Sequence, residues 1–545
     1  MWAFLLWFAV VATAAEPLWN GPGVNLLGGP SRDGKLLSYV DPATRNLAIR
    51  DLASGQSRTL TQQKGGEYAY FSSISRDASR LAYAWFNAEG FYELRVVGTD
   101  GTNSRTIFRN EEAGFVQPCG WTPDDRYVLT LLFRKDNISQ IALVPAEGGP
   151  PKVLRSLMWV YPKRMDLSPD GKYIVYDSFA KDNAGDRTLF VLSIDGKGES
   201  KLIDTPGDYL FPLWTPDGKR VVYIADHGGA TDLWALDVID GKAVGPPQLL
   251  RRDLGRTLPM GITTGNRFIY GVRAGETDVF VTTLSAPRVD AKRASVLYPG
   301  RNVNPTWSRD GQQLAYLSRR GSENFGQEAR AIVIRSLASG EERELLPRLA
   351  HMEQVRWSPD GASLLVSGSD GKGRAGLYIV DVKSAAVTPV VRDADAPFQG
   401  YEGVWPGDGR SVVYVHRESE VRSRLLSSGE EHVLHKGTGL HHLVASPDGK
   451  AFAVASGNGS ILLLGEEARS IPFRGATELD WSCNLIAARG AELWRIPLDG
   501  SAPAPLEIPG NRKPGFSVHP DGNRIALTVS NARSEVRALQ LTSEP

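Results

Sequence analysis

One short turn signature recurs along almost the whole 545-residue chain, and no other feature restricts the fold as strongly. Its full form is Trp214-Thr215-Pro216-Asp217-Gly218, Trp357-Ser358-Pro359-Asp360-Gly361, Ser168-Pro169-Asp170-Gly171, Ser446-Pro447-Asp448-Gly449 and His519-Pro520-Asp521-Gly522. Looser copies surround Asp33, Asp77, Asp124, Asp310 and Asp408. Two degenerate copies, Gly265-Asn266 ahead of FIYGV and Trp481-Ser482-Cys483-Asn484 ahead of LIAA, carry Asn in place of the turn Asp. The twelve copies are spaced by 36 to 50 residues.

That spacing suits a four-stranded unit. An approach strand ends in Trp or another apolar residue, the signature turns the chain, and a β-rich run follows, such as YIVYDSF, RVVYIAD or QLAYLS. Asp-Gly supplies the positive φ of a tight hairpin, while Pro and the Ser or Thr hydroxyl shape the start of the turn. A third strand (LFVLSIDG at 189–196, LWALDV at 233–238, LYIVDV at 377–382, LWRIPLDG at 493–500) and a short fourth (SRTLT, PKVL) complete the unit. The apolar–polar alternation in these runs is that of strands. One such unit cannot bury both faces alone, so units pack face to face around an axis. The expected fold is therefore all-β: two consecutive β-propellers of four-stranded antiparallel blades. Six blades each is the simplest division of twelve; five plus seven, or one large irregular ring, are the alternatives. The expected organisation is a signal peptide over 1–15, an N-terminal propeller over 16–295 and a C-terminal propeller over 296–545, with the linker near 286–302.

These repeats resemble the WD-like propeller repeats of the TolB family, which also occur in tricorn-type and prolyl oligopeptidase-type peptidases. The resemblance covers residues 25 to 541. It implies the propeller fold and a protein-binding role, and says little about chemistry, because one scaffold carries many unrelated sites. The first signature, at Asp33, leaves no room for the N-terminal α/β domain that precedes the TolB ring. The peptidase relatives carry a Gly-x-Ser-x-Gly nucleophile elbow, and no such elbow occurs in this chain.

Charge and composition narrow the partners. Lys+Arg 62 balance Asp+Glu 62, so no net field gathers polyanions, and nucleic acid is not an expected partner. The run Trp2–Ala12 (WAFLLWFAVVA), followed by Ala14, Ala15, Glu16 and Pro17, reads as a secretory signal. It is too short to cross a bilayer as a helix, so export to the periplasm or beyond without stable membrane insertion is expected. The two cysteines, Cys119 and Cys483, provide no disulfide framework.

Candidate chemistry is sparse. Four of the eight histidines, His432, His435, His441 and His442, fall close together beside Glu430 and Glu431. Strand alternation points His432 and His435, and likewise His441 and His442, to opposite sides, so no metal ligand set is expected. The Asp-Gly loops at Thr99-Asp100-Gly101-Thr102-Asn103 and Ser369-Asp370-Gly371 lack the alternating acids of a calcium loop and read as hairpins. Trp121, Trp214, Trp307, Trp357, Trp405 and Trp481 recur at one blade position, which implies packing between blades. No catalytic residue, cofactor or metal ligand is therefore assigned. The residues just upstream of the turn line the channel and vary between blades, as a grafted site would. They are Lys163, Arg164 and Asp166; Glu353, Gln354 and Arg356; Tyr401 and Glu402; His441 and His442. The leading expectation is an exported, non-catalytic binding platform for a protein or glycan partner. Its rival is a carbohydrate lyase or hydrolase at a channel mouth, which would gather acids, histidines and arginines in one funnel.

Overall fold

The computed structural model describes residues 15–541 except 21–23, 65–66, 137, 159–160, 180–186, 228–229, 256, 285–290, 297–299, 301, 320–328, 371–373, 394–400, 509–511 and 532. The signal-peptide expectation over 1–15 lies almost wholly outside these residues. Among the described residues there is no helix, and the strands form twelve sheets, eleven of them four-stranded. Ten of them are antiparallel meanders of consecutive strands, and in the four-stranded ones the strand before a signature is innermost.

The hydrogen bonds of the signature explain its residue types. In Ser168-Pro169-Asp170-Gly171 the Ser168 hydroxyl donates to Asp170 at 2.6 Å, and Asp170 accepts the Lys172 amide at 3.1 Å. The Tyr173 amide donates to the Ser168 hydroxyl oxygen at 2.9 Å, and Gly171 sits at a φ of 75°. The left-handed position belongs to the glycine alone in this copy, Ala78 and Asp125 take it in two of the looser copies, and Asn266 takes it in a degenerate one. The proline does more than begin the turn: a Cβ on Gly171 would lie 2.9 Å from Pro123 of the preceding blade, and Gly218 and Gly409 face Pro169 and Pro359 in the same way. The recurring tryptophans reach backwards too. Trp121 donates to the Ser73 carbonyl, Trp357 to Thr306 and Trp405 to Arg356, at 3.0 to 3.3 Å. Every one of these bonds joins a blade to the one before it.

Burial follows from stacking. Second strands such as Arg80–Phe86, Tyr173–Phe179 and Gln313–Arg319 are packed on both faces and buried throughout their centres. Outer strands such as Ser57–Thr59 and Lys242–Arg251 are exposed, the latter carrying Pro246 and Pro247 at a sheet edge.

The chain divides into two compact units, residues 1–274 with 533–545, and residues 275–532. The division at 295/296 expected from the repeat spacing is not where the pairing falls. Thr277–Thr283 pairs with Arg524–Ser530, so it belongs to the second unit, and Arg533–Gln540 pairs with Arg267–Ala274 of the first. Each unit contains six sheets among the described residues.

In the first unit the sixth sheet is composite: Thr257–Ile262 and Arg267–Ala274, then the C-terminal strand Arg533–Gln540, then the N-terminal strand Glu16–Asn20. It meets the first sheet through the Thr264 amide, which donates to the Arg32 carbonyl at 2.8 Å. The second unit closes likewise with Arg512–Val518, Arg524–Ser530, Thr277–Thr283 and Lys292–Arg293. Trp307 of its first sheet donates to the Ser517 carbonyl at 3.1 Å, and His519 meets the Gly311 carbonyl at 3.0 Å. Both units are thus rings of blades, each sealed by strands from distant parts of the sequence.

Candidate functional site

Four of the six innermost strands of the second unit share a local irregularity that aims side chains into the channel. Their registers slip between Val303 and Thr306, Met352 and Gln354, His441 and Val444, and Arg512 and Phe516. At these bulges Asn304, His442 and Gly515 adopt φ of 53°, 56° and 106°. Gly515 has to be glycine, since a Cβ there would fall 2.4 Å from the Asn304 amide oxygen. Extra residues in these inner strands change the phase of their side chains at the channel.

The result is a cavity of about 230 Å³ lined by Asn304, Glu353, Gln354, Arg356, Glu402, His442 and Glu478, with Leu443, Leu479 and Phe516 among its apolar walls. Glu402 contributes one carboxylate oxygen to the Leu443 amide of the next blade at 3.0 Å and the other to His442 Nδ1 at 3.2 Å. Glu478 repeats the pattern, accepting the Gly515 amide at 2.9 Å with one oxygen and facing Arg512 at 3.4 Å with the other. Asp480 accepts the Val518 amide at 2.6 Å. The acids thus tie neighbouring inner strands together while their charge faces the channel. Arg512 is wholly buried and donates to the Gly490, Ala491 and Lys513 carbonyls.

The carboxylates differ in electrostatic state. Burial pushes the Glu402 carboxyl up, but the hydrogen bond and charge of His442, the Leu443 amide and the charge of Arg356 hold it below the usual range. Burial lowers His442, and Glu402 followed by Glu478 outweighs that, leaving the imidazole raised. Glu478 and Asp480 are raised because burial prevails over Arg512 and Arg356 respectively. A low-lying and a high-lying carboxyl therefore flank one imidazole.

Five of the ten residues expected at the channel meet here: Glu353, Gln354, Arg356, Glu402 and His442. Two others do not. Tyr401 is buried in a cluster with Leu365, Leu377 and Trp405, and His441 turns to the Gly439 and Ala476 carbonyls. The expectation that His441 and His442 point to opposite sides fails, because the bulge at His442 breaks the alternation and brings the rings to 4.8 Å, edge to face. Glu478, Asp480 and Asn304 were not singled out from the sequence. The alternation Glu478-Leu479-Asp480 before Trp481 was the available signal, hidden by the degenerate turn that follows it.

Lys163, Arg164 and Asp166 lie in the first unit, on or beside the innermost strand Met165–Leu167. The Lys163 backbone amide and the side chains of Arg164 and Asp166 are engaged internally. The Lys163 and Arg164 amides donate to Asp177, the Arg164 guanidinium donates to the Pro259 and Met260 carbonyls at 3.0 and 2.6 Å, and Asp166 accepts the Trp214 amide at 2.8 Å. Asp177 also holds buried Arg187 at 2.7 Å. Cys119, packed in the same unit, has its thiol pushed up to about 12 by burial, and both cysteines are free.

No family model matches the chain. A dipeptidyl-peptidase 5 of Porphyromonas gingivalis is 25% identical over 335 residues, 51% of this chain and 48% of that protein, so the chain spans about half the length of that relative. Among solved structures, the tricorn protease aligns over 93% of this chain and 53% of its own at 13% identity and a TM-score of 0.35. TolB from Acinetobacter baumannii aligns over 66% of this chain and 79% of its own at 17% identity and a TM-score of 0.26. These neighbours are β-propeller folds, the fold built by the strand pairing described above.

Proposed function

We propose that the chain is an exported, non-catalytic binding propeller whose second unit takes a cationic group of a peptide or protein partner into the channel cavity. The observation that carries this reading is the charge of the cavity wall. Glu353, Glu402 and Glu478 line it against Arg356 and His442, and His442 is already shared with Glu402. An amine entering there meets carboxylates held by backbone amides and loses little freedom in them on binding. The dipeptidyl-peptidase name of a partial relative agrees with a peptide as the source of that amine. The apolar run at the N-terminus supports export.

Amidated dipeptides with a free or an acetylated amino terminus, titrated calorimetrically, test this reading. The free amines bind, acetylation abolishes binding, and Glu402→Gln or Glu478→Gln raises the dissociation constant about tenfold, the scale of one charge-assisted hydrogen bond. Equal binding of free and acetylated forms would remove the reading.

One observation favours an enzymatic alternative: acids, a histidine and an arginine converge in one cavity, with Glu402 lowered and Glu478 raised as a base and an acid would be. Turnover of polysaccharide fragments or peptides that disappears in Glu402→Gln would establish it in place of the binding role.

A further inference from the structure

The channel of the second unit has a second cavity, of about 320 Å³, at the end where the turn signatures lie, and its chemistry is the reverse of the first. Its walls are largely apolar, with Trp357, Trp405, Val444 and Val518 among them. Two guanidiniums reach it. Arg309 stands where half of the copies of the signature have proline, and it projects across the channel to the Pro447 carbonyl at 3.0 Å. Arg356 lines both cavities and so forms the septum between them. Its charge is felt by Glu402, His442 and Asp480, yet among the described residues its guanidinium makes no hydrogen bond or ion pair of its own. Among the described residues Asp480 is the single carboxylate on the wall of this second cavity, and one of its oxygens is already committed to the Val518 amide.

We infer that this second cavity is a binding site for a carboxylate carried on an apolar body, of which the C-terminus of a peptide ending in a large aliphatic or aromatic residue is the fitting form. Guanidinium groups bind carboxylates in paired geometry, and a donor bound only to a carbonyl exchanges that partner for an anion with a gain in strength. The apolar walls contribute by burying the side chain next to the carboxylate. A proline at position 309 would supply no donor, so the departure from the signature is what creates the site. The site is separate from the acidic cavity and does not depend on the amine reading of that cavity.

N-acetylated dipeptides ending in Leu or Phe, as the free acid and as the amide, test it with the full chain, because acetylation removes the amine that the other cavity would take. Tryptophan fluorescence reports on the site, since Trp307, Trp357, Trp405 and Trp481 all line it. The acids are expected to change the emission saturably and the amides not to. Arg309→Gln, at an exposed position, is expected to raise the dissociation constant of the acid at least tenfold while leaving the thermal midpoint and the binding of amidated free-amine peptides unchanged. Acid and amide binding alike, no binding of either, or an unchanged affinity in Arg309→Gln would each overturn the assignment.

Discussion

At the scale of single residues the first cavity is a set of coupled charges, and its pH response follows from them. The groups facing it are Glu353 and Arg356 from one blade, Glu402, His442, and Glu478 with Arg512 behind it, while Asp480 lies beyond Arg356. Glu402 lies below the ordinary glutamate range, so its contribution to stability is present above that range and is lost as the pH falls through its folded value. His442 is raised, so its contribution is complete below the ordinary histidine range and is lost as the pH rises through its folded value. Between these limits the Glu402–His442 pair holds the bulge in place. Affinity for a cation has the opposite bias to His442. It is expected to fall on acidification as Glu478, raised by burial, takes up a proton, and to rise at higher pH as His442 loses its positive charge. Calorimetry from acid to mildly alkaline pH checks this. Glu478→Gln should flatten the acid limb, and His442→Asn, which tolerates the left-handed backbone, should flatten the upper one. A profile in which affinity decreases with pH would contradict the charge assignment.

At the scale of the element, the blade is an inter-blade device as much as a hairpin stack, since Trp, Pro, Gly and the channel acids all bond or pack across to a neighbour. Trp357→Phe keeps most of the apolar contact and deletes the donor to the Thr306 carbonyl, a bond buried on both sides. The expected loss is about 1–2 kcal/mol, read as a lower denaturation midpoint of the second unit with an unchanged urea dependence. Turn chemistry is local, so Ser-Pro-Asp-Gly announced strand order and the packing role of Trp121, Trp357 and Trp405 without reference to the rest of the chain. Channel position was legible for Glu353, Gln354, Arg356, Glu402 and His442 because it sits at a fixed offset from the turn. It failed for His441 because the bulge at His442 reverses the side-chain phase, and a bulge has no strong sequence mark when its left-handed residue is His or Asn. The engagement of Arg164 and Asp166 was hidden as well, since their side-chain partners are the Pro259 and Met260 carbonyls and the Trp214 amide from other blades.

At the scale of the whole molecule the pairing of Arg533–Gln540 with Arg267–Ala274 makes the second unit an insertion between two strands of one sheet of the first. Repeat spacing could not reveal this, because the closing strands Glu16–Asn20 and Arg533–Gln540 carry no turn signature and belong together only through pairing over the full length of the chain. The insertion has a testable consequence. Ala274 and Arg533 are register partners on adjacent antiparallel strands, so the whole segment 275–532 leaves and returns at one point of the ladder. A two-residue Asn-Gly turn joining Ala274 to Arg533 would convert that ladder into an ordinary β-hairpin. The resulting chain, residues 16–274 joined to 533–541, retains all six sheets of the first unit. It is expected to fold as a monomer with a single cooperative thermal transition and a β-type circular dichroism spectrum. The matched control ends at Ala274. It lacks the third strand of the closing sheet and leaves Glu16–Asn20 without its partner, so both the ladder and the seal of the ring are lost. That control is expected to aggregate or to melt without cooperativity, and a shortened chain that folds equally well with and without 533–541 would show that ring closure does not stabilise the first unit.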